Sequence, residues 1–211
     1  MTIKALIPAF NEEKTIGDII DVLNKVPRIK EIIVVDDGSI DNTFQRAKNH
    51  GATVIKLPEN KGKGAALQEG ISHVDTDIIL LLDGDLIGLK AEHIYKLINP
   101  VLSDEADMTI GVFKKGRNLT DLAQVVSPKL SGQRAIKLSE LKKVKNLDKK
   151  GFGVEVSLNK HFKNSGRVKK VDLYDLTHVM KEEKLGLVNG VKARTKMYVD
   201  ILKSLFNNLV D

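Results

Sequence analysis

The sequence predicts an α/β fold with a mostly parallel, Rossmann-like central sheet flanked by helices, and three observations predict it. Short apolar runs alternate with stretches of helical periodicity, the runs are too uniformly apolar for a sheet with one wet face, and each is followed by a polar or glycine-rich segment. Taken in order, Ile3 to Ala9 reads as a strand and Thr15 to Val26 as a helix. Glu31 to Asp36 is a buried strand, and Asn42 to His50 a helix capped by Asp41. Thr53 to Leu57, Gly64 to Ser72 and Ile78 to Leu82 continue as strand, helix and strand.

The 211 residues, 42% of them hydrophobic, are enough for a substantial core, and one domain over 1–211 is expected. Its front half is 1–112 and its back half 113–190, and 191–211 forms a C-terminal amphipathic helix. No run approaches the ~20 apolar residues of a spanning helix, and Met1 to Lys4 leads into a strand without a signal-peptide pattern, so a cytoplasmic location is expected. Without cysteine, a metal must be held by oxygen or imidazole. The net charge of +6 is concentrated between Lys137 and Lys170, where eleven Lys or Arg face only Glu140, Asp148 and Glu155. Such a stretch could attract phosphates, nucleic acid or an anionic membrane surface, while most of these lysines read as a solvated face. Nucleic acid is disfavoured, because aromatics make up 4% of the chain and Trp is absent.

In parallel α/β sheets, ligands bind outside the carboxyl ends of the strands. Four strand exits therefore converge on one edge: Pro8-Ala9-Phe10-Asn11-Glu12-Glu13, Asp36-Asp37-Gly38-Ser39, Asn60-Lys61-Gly62-Lys63-Gly64 and Asp83-Gly84-Asp85. Asp36 and Asp37 suit a ribose hydroxyl or a base N–H, and capping with Ser39 and Asp41 is the structural alternative. Lys61 and Lys63 sit among glycines at a helix amino terminus, where amides, dipole and ammonium face a diphosphate together. Asp83 and Asp85 present hard oxygen ligands at the end of a buried strand, and Gly84 keeps the backbone between them slim. Turn chemistry alone also produces an isolated Asp-Gly-Asp.

The four motifs, in order and spanning about the first 90 residues, resemble those of family-2 nucleotide-sugar glycosyltransferases. The resemblance implies a single GT-A type domain with a nucleotide-binding front half and an acceptor-binding back half. By it, Pro8, Ala9 and Glu12 line the uridine side, Asp37 contacts the base or ribose, and Lys63 approaches the donor. The resemblance also implies that the Asp83-Gly84-Asp85 pair holds Mg²⁺ or Mn²⁺, with Asp85 expected as the direct ligand and Asp83 expected to face the ribose or sugar.

The back half is similar to glucosyl-3-phosphoglycerate synthases through Gly116 to Leu122, Ser131-Gly132-Gln133-Arg134-Ala135, Gly151 to Val156 and Val171-Asp172-Leu173 with His178. Dolichyl-phosphate mannosyltransferase-like enzymes share the front half and a related Ser-Gly segment. The synthase-like pattern implies His178 as a further metal ligand, Glu155 on the transferred sugar, and Arg117, Thr120, Ser131 and Gly132 on the acceptor side. The chain is shorter than those synthases.

A cation with Lys63 would neutralise a departing diphosphate. Inversion would require a base, with Glu155 and Asp172 as candidates; retention, which the synthase resemblance implies, would not. Tyr198, Ile201, Leu202, Leu205 and Leu209 recur at helical spacing beside Lys192, Arg194, Lys196 and Lys203, a basic amphipathic helix for the catalytic core, a second copy of the chain or an anionic membrane surface. Lys114 to Ser127 reads as a loop over the site. Three functions stand open. They are transfer of a hexosyl group from a UDP-glucose-like donor to a small phosphorylated or carboxylated acceptor, transfer to a polyprenyl phosphate at a membrane, and a non-catalytic nucleotide-binding module. The glycine-rich, arginine-containing amino-terminal loop of sugar nucleotidyltransferases is missing.

Overall fold

The computed structural model describes residues 1–114, 131–144 and 153–179. The chain divides into two compact units, Met1–Thr177 and His178–Asp211, and the fold described is that of the first. The expected loop over Lys114 to Ser127 lies outside the described residues except for Lys114, and the expected C-terminal helix lies outside them entirely.

The elements in order are β1 (Ile3–Ala9), α1 (Ile16–Asn24), β2 (Ile29–Asp36), α2 (Thr43–Asn49), β3 (Thr53–Lys56), α3 (Lys63–Ser72) and β4 (Ile78–Leu81). They continue with β5 (Leu86–Ile87), α4 (Ala91–Leu102), β6 (Met108–Lys114), β7 (Arg134–Lys137), α5 (Leu138–Leu141), α6 (Gly153–Ser165), β8 (Val168–Tyr174) and β9 (Thr177–His178). The front half follows the sequence pattern to within two residues at nearly every boundary.

Seven strands form one sheet in the order β3-β2-β1-β4-β7-β6-β8. All described neighbours run parallel except β7, which is antiparallel to both β4 and β6. The reversal has a functional consequence. Arg134, the first residue of β7, pairs with Leu81, the last of β4. The residues leading into β7 thus arrive at the edge where β1, β2 and β4 leave, and the Ser131-Gly132-Gln133 segment joins the strand exits.

Strand alternation divides the core. Ile78, Leu80 and Leu82 pack on one face with Ile16, Ile19, Ile20 and Leu23 of α1 and Ile94, Leu97, Ile98 and Val101 of α4. Ile79 and Leu81 pack on the other with Ala66 and Leu67 of α3 and with Val154, Leu158 and Phe162, one turn apart along α6. Both faces are covered, which is why the strands read as continuous apolar runs. At the opposite edge of the sheet, Asp107 accepts hydrogen bonds from the Arg167 backbone N–H at 2.9 Å and from Lys137 Nζ at 2.7 Å, joining the ends of β6, β7 and β8. The Arg167 hydrogen bonds are the largest cause holding its carboxyl well below the usual range, and Lys137 adds to them against the cost of burial. Among the described residues, no helix is long and apolar enough to cross a membrane.

His93 is fully buried in the first turn of α4, where its Nδ1 accepts the Lys90 backbone N–H at 3.2 Å. Burial is the main cause that lowers its pKa below the ordinary imidazole value. Protonation is therefore easier in the unfolded chain, and stability falls as the pH drops below about 6.5. In thermal unfolding, the stability gap between wild type and His93→Gln should narrow from pH 7 to pH 5; a constant gap would contradict a buried neutral ring.

Candidate active site

The first two strand exits are stitched together. Asn11 N–H donates to Ser39 Oγ at 2.9 Å, Glu12 N–H to Thr43 Oγ1 at 2.7 Å and Glu13 N–H to Asp41 Oδ2 at 3.2 Å. Gly38 is required there, because its φ is +72° and a Cβ would lie 2.6 Å from the Glu59 backbone. Asp36 is fully buried and accepts Ser39 N–H at 2.9 Å, so the local capping alternative describes this acid. Asp37 reaches the third exit, its two oxygens accepting the Lys61 and Gly62 backbone N–H groups at 2.8 Å each. It orders the glycine-lysine loop ahead of α3 and keeps further lone pairs for a ligand. Ala9 O accepts the Asp37 backbone N–H at 2.8 Å, and Pro8, Ala9 and Glu12 lie against Gly84.

The Asp83-Gly84-Asp85 turn leaves β4 beside them. The Thr15 hydroxyl donates to Gly84 O at 2.6 Å in buried surroundings and anchors the turn to the start of α1. A carboxylate oxygen of Asp83 and one of Asp85 lie within 4.8 Å of each other. Two hard anionic oxygens at that separation fit a magnesium- or manganese-type cation. β5 begins one residue after Asp85.

Lys63, the first residue of α3, donates from Nζ to Asp83 Oδ1 and to Glu155 Oε1, both at 2.6 Å. Burial by itself would lower the ammonium pKa, but the two carboxylate charges outweigh it and hold the pKa well above the ordinary lysine value. Glu155 is 3% exposed in the first turn of α6, and its Oε2 has no hydrogen-bond partner among the described residues. Together with Pro8, Lys63, Asp83 and Gly132, it lines a small hollow at the sheet edge.

The back-half segment supports this cluster from below. Arg134 is fully buried, and its guanidinium donates to Ser131 O at 2.9 Å and Asn159 Oδ1 at 3.1 Å. Burial pushes its pKa down to about 10 against the pull of Glu155 and Asp83, so the side chain remains a cation at neutral pH. Gln133 Nε2 donates to Asp83 Oδ2 at 2.9 Å, and the Ser131 hydroxyl donates to Gln133 Oε1 at 2.9 Å. Gly132 passes so close that a Cβ would lie 2.5 Å from Asp83 Oδ1 and 2.6 Å from Lys63 Nζ.

Asp83, Lys63, Glu155, Ser131 and Gly132 thus converge within the first unit. Asp172 is exposed on the edge strand β8 and is not part of this cluster. Arg117 and Thr120 lie outside the described residues. Thr15, Gln133 and Arg134 were missed as site residues. An arginine opening the otherwise apolar Arg134-Ala135-Ile136 was the available signal, since a buried cation demands carboxylates nearby. In chemical denaturation, Gly132→Ala should cost ~1–3 kcal/mol by overpacking the ion pair. Thr15→Val should cost ~1–2 kcal/mol by leaving the Gly84 carbonyl unpaired. Wild-type stability in either variant would contradict the contact concerned.

The chain is 40% identical over 113 residues to an uncharacterized protein of Methanocaldococcus jannaschii, covering 50% of this chain and 44% of that one. It is 32% identical over 124 residues to the glucosyl-3-phosphoglycerate synthase of Mycolicibacterium smegmatis, covering 54% and 41%. The chain therefore spans less than half the length of these two relatives. Among solved structures, the Mycobacterium tuberculosis glucosyl-3-phosphoglycerate synthase in complex with Mn²⁺, UDP-glucose and phosphoglyceric acid superposes with a TM-score of 0.71 and 30% identity, covering 84% of this chain and 71% of that one. The complex of the same enzyme with phosphoglyceric acid gives 0.72 and 29%, covering 84% and 72%. The family model for glycosyl transferase family 2 matches residues 5–163, which contain the four strand-exit motifs and the whole Lys63 cluster, and the chain belongs to that family.

Proposed function

We propose that this protein is a metal-dependent glycosyltransferase that moves a hexosyl group from a UDP-glucose-like donor to a small phosphorylated or carboxylated acceptor such as 3-phosphoglycerate. The observation that carries the reading is the buried Lys63 cluster at the convergence of the strand exits. The structural relative that binds Mn²⁺, UDP-glucose and phosphoglyceric acid together supports the choice of ligands. The non-catalytic alternative would not require a buried lysine shared between two carboxylates.

In this reading Pro8, Ala9, Glu12 and Asp37 hold the nucleoside end, with the stitched exits as a rigid wall. The amino terminus of α3 and Lys63 face the diphosphate. Glu155 accepts a hydroxyl of the transferred sugar through Oε2, which is buried and without a partner among the described residues. Asp83 orients the ribose or sugar. Asp85 and His178 hold the cation, which supplies positive charge to the diphosphate as it departs. The acceptor side falls to Arg117, Thr120, Ser131 and Gly132. The nucleotide half is 1–112 and the acceptor half 113–190; 191–211 contacts the core, a second copy of the chain or a membrane surface, where a lipid phosphate would be the alternative acceptor.

The purified protein with Mn²⁺ should transfer glucose from UDP-glucose to 3-phosphoglycerate, read as UDP release dependent on the acceptor. Release with polyprenyl phosphate instead would reassign the acceptor, and no metal-dependent nucleotide binding at all would sink the enzyme reading. Asp85→Ala should abolish metal-dependent donor binding while the circular dichroism spectrum is retained. Lys63→Met should lower kcat about 10²- to 10³-fold, the loss typical of removing one donor to a developing anion.

A further inference from the structure

The acidic pair is built asymmetrically. Both Asp83 oxygens accept a hydrogen bond from a protein N–H, Oδ1 from Lys63 and Oδ2 from Gln133. Gln133 is fully buried, and its amide has one allowed orientation. The Gln133 backbone N–H donates to Ser131 Oγ at 3.3 Å, so the Ser131 proton is left to point at Gln133 Oε1, 2.9 Å away. With Oε1 engaged in this way, Nε2 must face Asp83; the flipped amide would set an oxygen against a carboxylate. Resting on the proposed metal-dependent transfer, we propose that Gln133, locked by Ser131, is a positioning residue that pins Asp83 and reserves it for the donor, leaving the divalent cation to Asp85.

The physical basis is competition for the same lone pairs. A carboxylate that accepts N–H bonds at both oxygens is fixed in rotation and is a poorer donor to a cation, because its charge is already shared with Lys63 and the Gln133 amide. Removing the amide donor on Oδ2 loosens the hold on that oxygen and lets the carboxylate turn toward an ion held two residues along, at Asp85. The cation site then gains a ligand, and the donor loses its orienting group. A merely structural glutamine would have the opposite effect on metal affinity, since damage to the site weakens binding.

The test is Mn²⁺ affinity, read as free Mn²⁺ by electron paramagnetic resonance with UDP present, on the full chain. Gln133→Met, close in length but without a donor, should bind Mn²⁺ at least about threefold more tightly than wild type, by roughly 0.7 kcal/mol. Its kcat should fall while the KM for UDP-glucose moves less. Ser131→Ala, which unlocks the amide but keeps it, should shift both quantities the same way and more weakly, and it decides the matter if Gln133→Met does not fold. In an Asp83→Asn background the tightening should vanish, because the carboxylate that Gln133 restrains is gone. Unchanged or weaker Mn²⁺ binding in a folded Gln133→Met overturns the positioning role alone. A wild type that binds no Mn²⁺ with UDP overturns the metal-dependent reading as well.

Discussion

An ammonium shared between two carboxylates is the constraint on which the rest of this structure depends. Lys63 lies 2.6 Å from both Asp83 and Glu155, and those three residues belong to the start of α3, the exit of β4 and the first turn of α6. Two carboxylates in a half-dry hollow would repel each other and resist ionisation without a cation between them. With Lys63 in place and Arg134 buried underneath, two negative and two positive side chains balance. Neutrality allows the polar cluster to sit on the apolar core of Leu81, Leu67, Val154 and Leu158 without the cost of an unpaired buried charge.

The topology makes this balance reachable. A purely parallel sheet would bring only strand ends to the ligand edge, and strand ends here carry mainly acids and turns. Among the described strands of the seven-stranded sheet, the one reversed, β7, sends its leading residues to that edge, and with them come a cation, an amide and a hydroxyl. Gly132 then lies against the Lys63–Asp83 pair with no room for a side chain, so backbone and ion pair form one packed surface.

Much of this was legible in the sequence, and for physical reasons. Strands covered on both faces leave unbroken apolar runs, so β1, β2 and β4 stood out with their polar exits. The convergence of those exits followed from parallel connectivity alone. The pairings were not legible. The bonds of Asp37 to the Lys61 and Gly62 backbone reach a loop more than twenty residues away, whose approach depends on how β2 and β3 lie. Lys63 was expected to face a diphosphate; its pairing with Glu155 spans 92 positions and depends on the packing of α6, which periodicity does not specify. Gln133 and Arg134 belonged to a recognised segment, but the reversal of β7 that gives them their role carries no local signature.

The ion cluster around Asp107 stands at the other end of the same strands. Asp104, Asp107, Lys137 and Arg167 tie the ends of β6, β7 and β8 together, and they do so where solvent and dissolved ions reach them. The sheet thus carries two charge networks with different exposure. The sheltered one is held by burial and short contacts, and the exposed one answers to ionic strength. Changes in the ionic medium therefore adjust how firmly these three strands hold together while the sheltered pairing at the opposite rim stays as it is, so the grip of the back strands can be tuned separately from the ligand edge.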